Sequence, residues 1–196
     1  MEAPANDGGA SISTLGYALL GVLARGPRSA PELVAALANP VGFFWNALHT
    51  QIYPELVRLE RAGLVTHELL APRGRRSTKR YAATEAGRAA LAAWASAPVP
   101  MDPDRSRFML KVYSLWLAEP PAAAHLLREH ERLHAERLAT YEAIEAEMRR
   151  SGAAEEPVTS PRFAAYATLR RGIGYEREYV AWCRWLAERF EAAAGG

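Results

Sequence analysis

The 196-residue sequence predicts a mainly α chain with a small β-wing: a winged helix-turn-helix followed by a helical dimerisation domain. Three observations carry that reading. Apolar spacing over residues 14–96 runs helix, helix, helix, strand, strand, helix. Ala97-Pro98-Val99-Pro100-Met101-Asp102-Pro103 is then a stiff connector. Beyond it the spacing is helical throughout. The expected organisation is a disordered N-terminus at 1–13, a winged helix-turn-helix domain at 14–96, a linker at 97–104 and a helical domain at 105–196.

Composition narrows the class. Hydrophobic residues make up 49% and charged residues 23%, the balance of a chain that buries a core. Cys183 is the only cysteine, so no disulfide forms within the chain, and a reducing compartment is expected. No run reaches the roughly 18 apolar residues of a membrane span. The first thirteen residues hold no Lys or Arg and no apolar stretch, so no signal peptide is expected. A cytoplasmic location follows as an expectation.

Thr14 is placed to cap a first helix with apolar positions Leu15, Ala18, Leu19, Val22 and Leu23, which Gly26-Pro27 stops. Ser29 starts a second, with Pro31 in its first turn and Leu33, Val34 and Leu37 inward. Val41-Gly42-Phe43-Phe44-Trp45 reads as an aromatic turn plugging the core. A third helix is expected over 47–62, with Leu48, Ile52, Leu56 and Leu59 inward and Gly63 as its left-handed cap. Pro54 implies a late start near Thr50, or a bend. Residues 64–70 and 80–83 read as strands joined by a basic tip, with Leu64, Leu69 and Tyr81 in the core. Thr84 caps a fourth helix through Trp94.

In the second half, a helix is expected over 105–118 and a long one from there to about 150, with Leu126, Leu127, Leu133, Leu138, Tyr141, Ile144 and Met148 along one arc. The last helix, over 162–193, carries two apolar faces. Tyr166, Leu169, Ile173 and Val180 line one; Tyr175, Tyr179, Trp182, Leu186 and Phe190 line the other. Two faces call for two partners: its own domain and a second subunit, or helices on both sides within one bundle. Tyr141, Ile144, Tyr175, Tyr179, Trp182 and Leu186 are the expected dimer interface.

The net charge of +2 decides little, but its local density is informative. Arg73, Arg75, Arg76, Lys79 and Arg80 place five cations in eight residues with no acid among them, a contact suited to a polyanion. The side of the third helix turned away from its apolar stripe carries His49, Thr50, Gln51, Tyr53, Arg58 and Arg61. A major groove accepts such a helix, with Gln and Thr reaching base edges and Tyr and Arg reaching phosphates.

The motifs on this framework resemble a known family. Leu15-Gly16-Tyr17-Ala18-Leu19-Leu20-Gly21-Val22-Leu23 looks like the first helix of PadR-like transcriptional regulators. Gln51-Ile52-Tyr53-Pro54-Glu55-Leu56 resembles their third helix with its Tyr-Pro pair. Arg80-Tyr81 followed by Thr84-Glu85-Ala86-Gly87-Arg88 is similar to their wing return and next helix. The resemblance implies a sequence-specific DNA-binding regulator, a homodimeric repressor on a near-palindromic operator, released by a small aromatic or hydrophobic effector. DNA contacts then fall to His49, Thr50, Gln51, Tyr53, Arg58, Arg73, Arg75, Arg76, Lys79 and Arg80. Trp94, Phe108, Tyr113 and Trp116 are the expected effector pocket.

One motif points elsewhere. His130-Glu131-Arg132-Leu133-His134 is a literal H-E-x-x-H, whose histidines on a helix bind zinc in peptidases while the Glu acts as base. A zinc-dependent hydrolase is therefore the rival from another class, and a protein-interaction winged-helix module is a third. The absence of a placed third ligand argues against zinc. The expectation is of no enzyme, no cofactor, no metal, and histidines packed in the long helix. Cys183 is expected in the core. Replacing Arg75 and Arg76 with alanine is expected to weaken DNA binding across all sequences and to flatten the salt slope by about 0.9 per lost phosphate contact. Titrations at several salt concentrations check it, and an unchanged slope refutes the wing assignment.

Overall fold

Ser13 starts the first helix, α1 (Thr14–Leu23): its hydroxyl accepts the Gly16 N–H at 2.9 Å, one residue ahead of the expected Thr14 cap. The computed structural model describes residues 11–38, 51–70, 78–99 and 106–195. The chain divides into two compact units, Met1–Val99 and Pro100–Gly196. In the first, α1 is followed by a two-residue strand, β1 (Arg28–Ser29), which has no signal in the apolar pattern. Helix α2 (Ala30–Ala38) follows, entered by Ser29, whose N–H and hydroxyl both donate to the Glu32 carboxylate at 2.7 and 2.8 Å. This is the return half of a capping box.

Helix α3 (Ile52–Arg61) has Pro54 in its first turn, where an N–H has no helical acceptor; residues 47–50 of the expected helix lie outside the described residues. Ile52, Leu56 and Leu59 are buried against Leu19, Leu20, Leu23 and Leu33. Gly63 ends it at φ +70°, a backbone state that L side chains rarely adopt. The N–H of Gly63 donates to Glu60 O and that of Leu64 to Leu59 O, both at 3.0 Å, closing the helix in a Schellman turn. Leu48 and the aromatic turn at 41–45 lie outside the described residues.

Strands β2 (Val65–Leu70) and β3 (Thr78–Ala83) pair antiparallel with Val65 opposite Ala83, and β1 pairs with the other edge of β3. Strand β3 begins two residues before the expected position, so Lys79 lies on a strand. Val65 and Tyr81 are buried, but Leu69 is 64% exposed, which corrects its assignment to the core. Its register places it opposite Lys79, toward the hairpin end and away from the Val65–Ala83 pairing beside the core.

Helix α4 (Glu85–Ser96) is capped by Thr84, whose hydroxyl accepts from Gly87 N–H and donates to Gly63 O. Gly87 is demanded by sterics: a Cβ there would lie 2.1 Å from the Leu64 carbonyl oxygen. The Thr-Glu-x-Gly motif is thus the docking of α4 against the start of the wing.

In the second unit, α5 (Arg107–Tyr113) gives way at Ser114 to a 3₁₀ turn, Leu115–Leu117, where one helix was expected. Ala118 is then extended, and Glu119 takes the extended ψ of 132° that a residue before proline favours. Helices α6 (Pro120–Arg150) and α7 (Pro161–Ala194) pack as a long antiparallel pair, tied by Arg128–Glu191, Glu131–Arg184 and Glu142–Arg177 contacts. Leu127 and Tyr141 are buried on α6, while Leu133, expected inward, is exposed: the helix buries a narrower stripe than the sequence arc implies. Tyr141, expected between subunits, is only 2% exposed and packs on Gly172, so α7 of its own chain takes it. Tyr166, Leu169, Ile173 and Val180 are buried as expected. The second face of α7 is partly covered within the chain, since Tyr179, Trp182, Leu186 and Phe190 pack around Phe108 of α5 and Leu115.

Gly87→Ala is expected to destabilise the first unit, although alanine favours a helix, by about 1–3 kcal/mol of overpacking. Thermal and denaturant unfolding measure it; an unchanged or raised midpoint contradicts the close approach.

Candidate nucleic-acid interface

Helix α3 exposes one side because its other side carries the apolar stripe. Ile52, Glu55, Leu56 and Leu59 are buried, and Gln51, Tyr53, Val57, Arg58 and Arg61 face out. A polar clamp fixes the helix. Glu55, nearly buried, accepts the Ser13 hydroxyl at 2.6 Å and an Arg58 N–H at 2.7 Å on the same oxygen. Ser13 meanwhile caps α1, so one hydroxyl couples the start of α1 to the first turn of α3. Gly16 makes room, since a Cβ there would lie 2.5 Å from Glu55 Oε1.

The wing is tied to the same helix. His67 on β2 pairs through Nδ1 with the carboxylate of Glu60 on α3, and its ring lies 5.8 Å from that of Tyr81 on β3. Lys79 is exposed. Arg80 is half-buried with its Nε out of solvent, and its charge lies near Glu32. The Glu32 carboxyl is held below its ordinary value chiefly by the Ser29 hydrogen bonds, with Arg28 and Arg80 adding to this. Of the expected contacts, the structure therefore presents Gln51, Tyr53, Arg58 and Lys79 outward and holds Arg80 partly inside. His49, Thr50, Arg73, Arg75 and Arg76 lie outside the described residues. Sequence reasoning passed over Val57, because an aliphatic residue in a helix is ordinarily assigned to the core.

The expected effector residues fall in both units. Trp94 stacks on Tyr17 at 4.5 Å within the first. In the second, Phe108 is buried and stacked on His130 at 3.6 Å, whereas Tyr113 and Trp116 are 84% and 76% exposed. Of the expected dimer residues, Tyr175 is exposed, and Ile144, Tyr179, Trp182 and Leu186 are half-buried.

The H-E-x-x-H residues are engaged in packing. His130 lies against Phe108, and His134 stacks on Tyr179 at 3.8 Å. His134 Nδ1–H donates at 2.5 Å to Glu176, a carboxylate 3% exposed that also accepts from Arg137 at 3.2 Å. Burial resists ionisation of Glu131, but hydrogen bonds from Arg128 and Arg184 outweigh it and hold the carboxyl below its ordinary value. That is the wrong direction for a general base working near neutral pH. Among the described residues no group of three His, Cys, Asp or Glu side chains is arranged to hold a metal ion. Cys183 is fully buried, and burial pushes its thiol up to about 11.

A helix with a cationic outer side, seated on a three-helix core and joined by a Schellman turn to a β-hairpin, is the architecture of a winged-helix transcriptional regulator. Residues 19–93 match the transcriptional regulator PadR-like family, and residues 105–191 match the virulence activator alpha C-term family. The negative transcriptional regulator PadR of Bacillus subtilis is 30% identical over 175 residues, which span 87% of this chain and 94% of that one. The crystal structure of Bacillus subtilis PadR in complex with operator DNA is similar at a TM-score of 0.83 and 26% identity, over 91% of this chain and 99% of that chain. PadR in complex with p-coumaric acid is similar at 0.75 and 27%, over 95% and 99%. The chain belongs to the PadR-like family of transcriptional regulators.

Burial above all, with the charges of His134 and Lys111, lowers the pKa of His130 from its ordinary 6.5. Below about pH 6.5 the unfolded chain takes up a proton that the folded chain resists, so this group withdraws stability as pH falls. His130→Phe is expected to remove that component. Unfolding at about pH 7.5 and about pH 5.5 should show a smaller loss on acidification in the variant than in the parent.

Proposed function

We propose that this chain binds a near-palindromic operator in double-stranded DNA as a homodimer in the cytoplasm, represses transcription, and is released by a small aromatic or hydrophobic effector. The observation that carries the reading is the outward side of α3, cationic and backed by a fully buried apolar stripe. In the major groove its N-terminal end, Gln51 with His49 and Thr50 before it, meets base edges, and Tyr53 and Arg58 reach phosphates. Lys79, with Arg73, Arg75, Arg76 and the partly held Arg80, lies along the flanking backbone. The operator-bound relative supports this assignment, and the p-coumaric acid complex supports an aromatic effector.

Dimerisation follows from what the helical unit leaves uncovered. Leu110, Tyr113, Trp116 and Leu117 form an exposed apolar group on α5 and the 3₁₀ turn, and Tyr175 and Trp185 are exposed on α7. A second copy covers such surface and places two recognition helices about 34 Å or a multiple apart. An effector acts as a switch by favouring a dimer geometry with another helix separation. The reading is non-enzymatic, in keeping with the ring stacks and ion pairs that engage His130, Glu131 and His134.

Duplexes selected from random sequence on the purified protein test the reading. Arg58→Ala and Lys79→Ala are each expected to weaken binding to all duplexes and flatten the salt slope by about 0.9. Gln51→Ala is expected to relax preference at one base position by about 1–3 kcal/mol. The complex is expected to sediment with two chains per duplex. Retention of no duplex at low salt overturns the function.

A further inference from the structure

Val57 stands in a place that the core does not explain. Taking 100° per residue, the direction opposite the inward residues of α3 passes within roughly 30° of it, so it lies on the outward side beside Arg61, which is nearer the middle. It is 43% exposed. Tyr53 lies one turn before it and Arg61 one turn after, with Arg58 alongside. A β-branched residue is a mediocre helix former, and here it also exposes its methyls among cations. Isolated exposed aliphatics are ordinary on protein surfaces; this one is on the side that the proposed function turns toward a base stack.

The chemistry of the groove restricts what it can recognise. In the major groove, guanine, adenine and cytosine are distinguished by donors and acceptors, and thymine alone adds an apolar group, its C5-methyl. Valine has neither donor nor acceptor in its side chain, so its isopropyl group distinguishes a base only by meeting that methyl. The cations beside it are complementary to phosphates, which fix register without reading sequence. We propose that Val57 is a specificity residue that packs against the C5-methyl of a thymine in the bound operator, an inference that rests on the DNA-binding reading above.

The probe is a single methyl. In a duplex selected on the full-length protein, each thymine is replaced in turn by deoxyuridine, which keeps the pairing and every hydrogen-bonding group and deletes only the methyl. Binding is measured by fluorescence anisotropy at fixed salt. At one recurrent thymine position the replacement is expected to weaken binding about fourfold, the worth of one buried methyl-sized group. Val57→Ala binds the thymine and uracil duplexes alike. Val57→Thr, which keeps one γ-methyl, retains the discrimination. Lys79→Ala weakens both duplexes while leaving their ratio near four.

The assignment is overturned if the wild-type chain binds every uracil duplex as tightly as its parent. It is also overturned if Val57→Ala keeps the fourfold ratio, or if no thymine recurs in the selected sequences. Failure of the DNA-binding reading looks different: no duplex is then retained by any of these chains, and both conclusions fall together.

Discussion

The seating of α3 is the constraint from which the rest of the first unit follows. Three apolar side chains, Ile52, Leu56 and Leu59, enter the same core as the leucines of α1 and α2. Burial of each such side chain contributes about 1.5–3 kcal/mol. Once that stripe is inside, the orientation of every other residue of α3 is determined, and Tyr53, Val57, Arg58 and Arg61 turn toward solvent together. The Ser13–Glu55 hydrogen bond fixes the remaining freedom, rotation and slip of the helix about its stripe. At the other end, Gly63 reverses the chain so that β2 begins beside the helix, and the His67–Glu60 pair holds the two together. Helix and wing are therefore joined both through the chain and by a side-chain pair.

Electrostatics sorts the basic residues into those that serve the fold and those left for a partner. Arg58 is tied to Glu55, yet remains half-exposed, so it can serve both. Arg80 lies partly inside, close to Glu32. Lys79, beside it on the same strand, is exposed. Formal charge counts cannot make these distinctions, because an ion pair removes a cation from the contact list without changing the sum. In the helical unit the same rule runs further: Arg128, Arg137, Arg177 and Arg184 meet glutamates across the α6–α7 seam. Glu176 is the most enclosed charge of the seam among the described residues, and it is supported by both His134 and Arg137, as a buried carboxylate must be.

The H-E-x-x-H sequence shows how neighbours decide chemistry. On a helix its histidines lie one turn apart in any protein. Here α5 brings Phe108 against His130, and α7 brings Tyr179 and Glu176 against His134. The imidazoles become part of an aromatic and ionic layer between helices, and Glu131 becomes an ion-pair member lying between two arginines. A pattern that reads as a metal site along the chain is, across the chain, a packing device.

Apart from the Ser13 cap of α1 and the break at Ser114, the winged order and most helix ends are legible from local signals: Gly63 and Gly26-Pro27 as stops, Ser29 and Thr84 as starts, and a stripe at helical spacing in α3. These are short-range effects, decided by backbone sterics and hydrogen bonds within a few residues, so the sequence states them directly. The same holds for the outward position of Gln51, Tyr53 and Arg58, which follows from the stripe alone. Burial in the long helices was less legible. Periodicity marked Leu133 and Tyr141 as equivalent, but one is exposed and the other enclosed against Gly172. The second apolar face of α7 was ascribed to another subunit, whereas Phe108 and Leu115 of the same chain cover part of it. The Ser13–Glu55 clamp spans 42 positions, and strand β1 exists only because β3 lies beside it. By itself, then, the sequence determined which segments are helix, turn and wing and which way the recognition helix faces. Which apolar and charged groups are already satisfied inside the chain, and which remain for a partner, was decided only by tertiary structure, because that depends on residues far apart in sequence arriving at the same place.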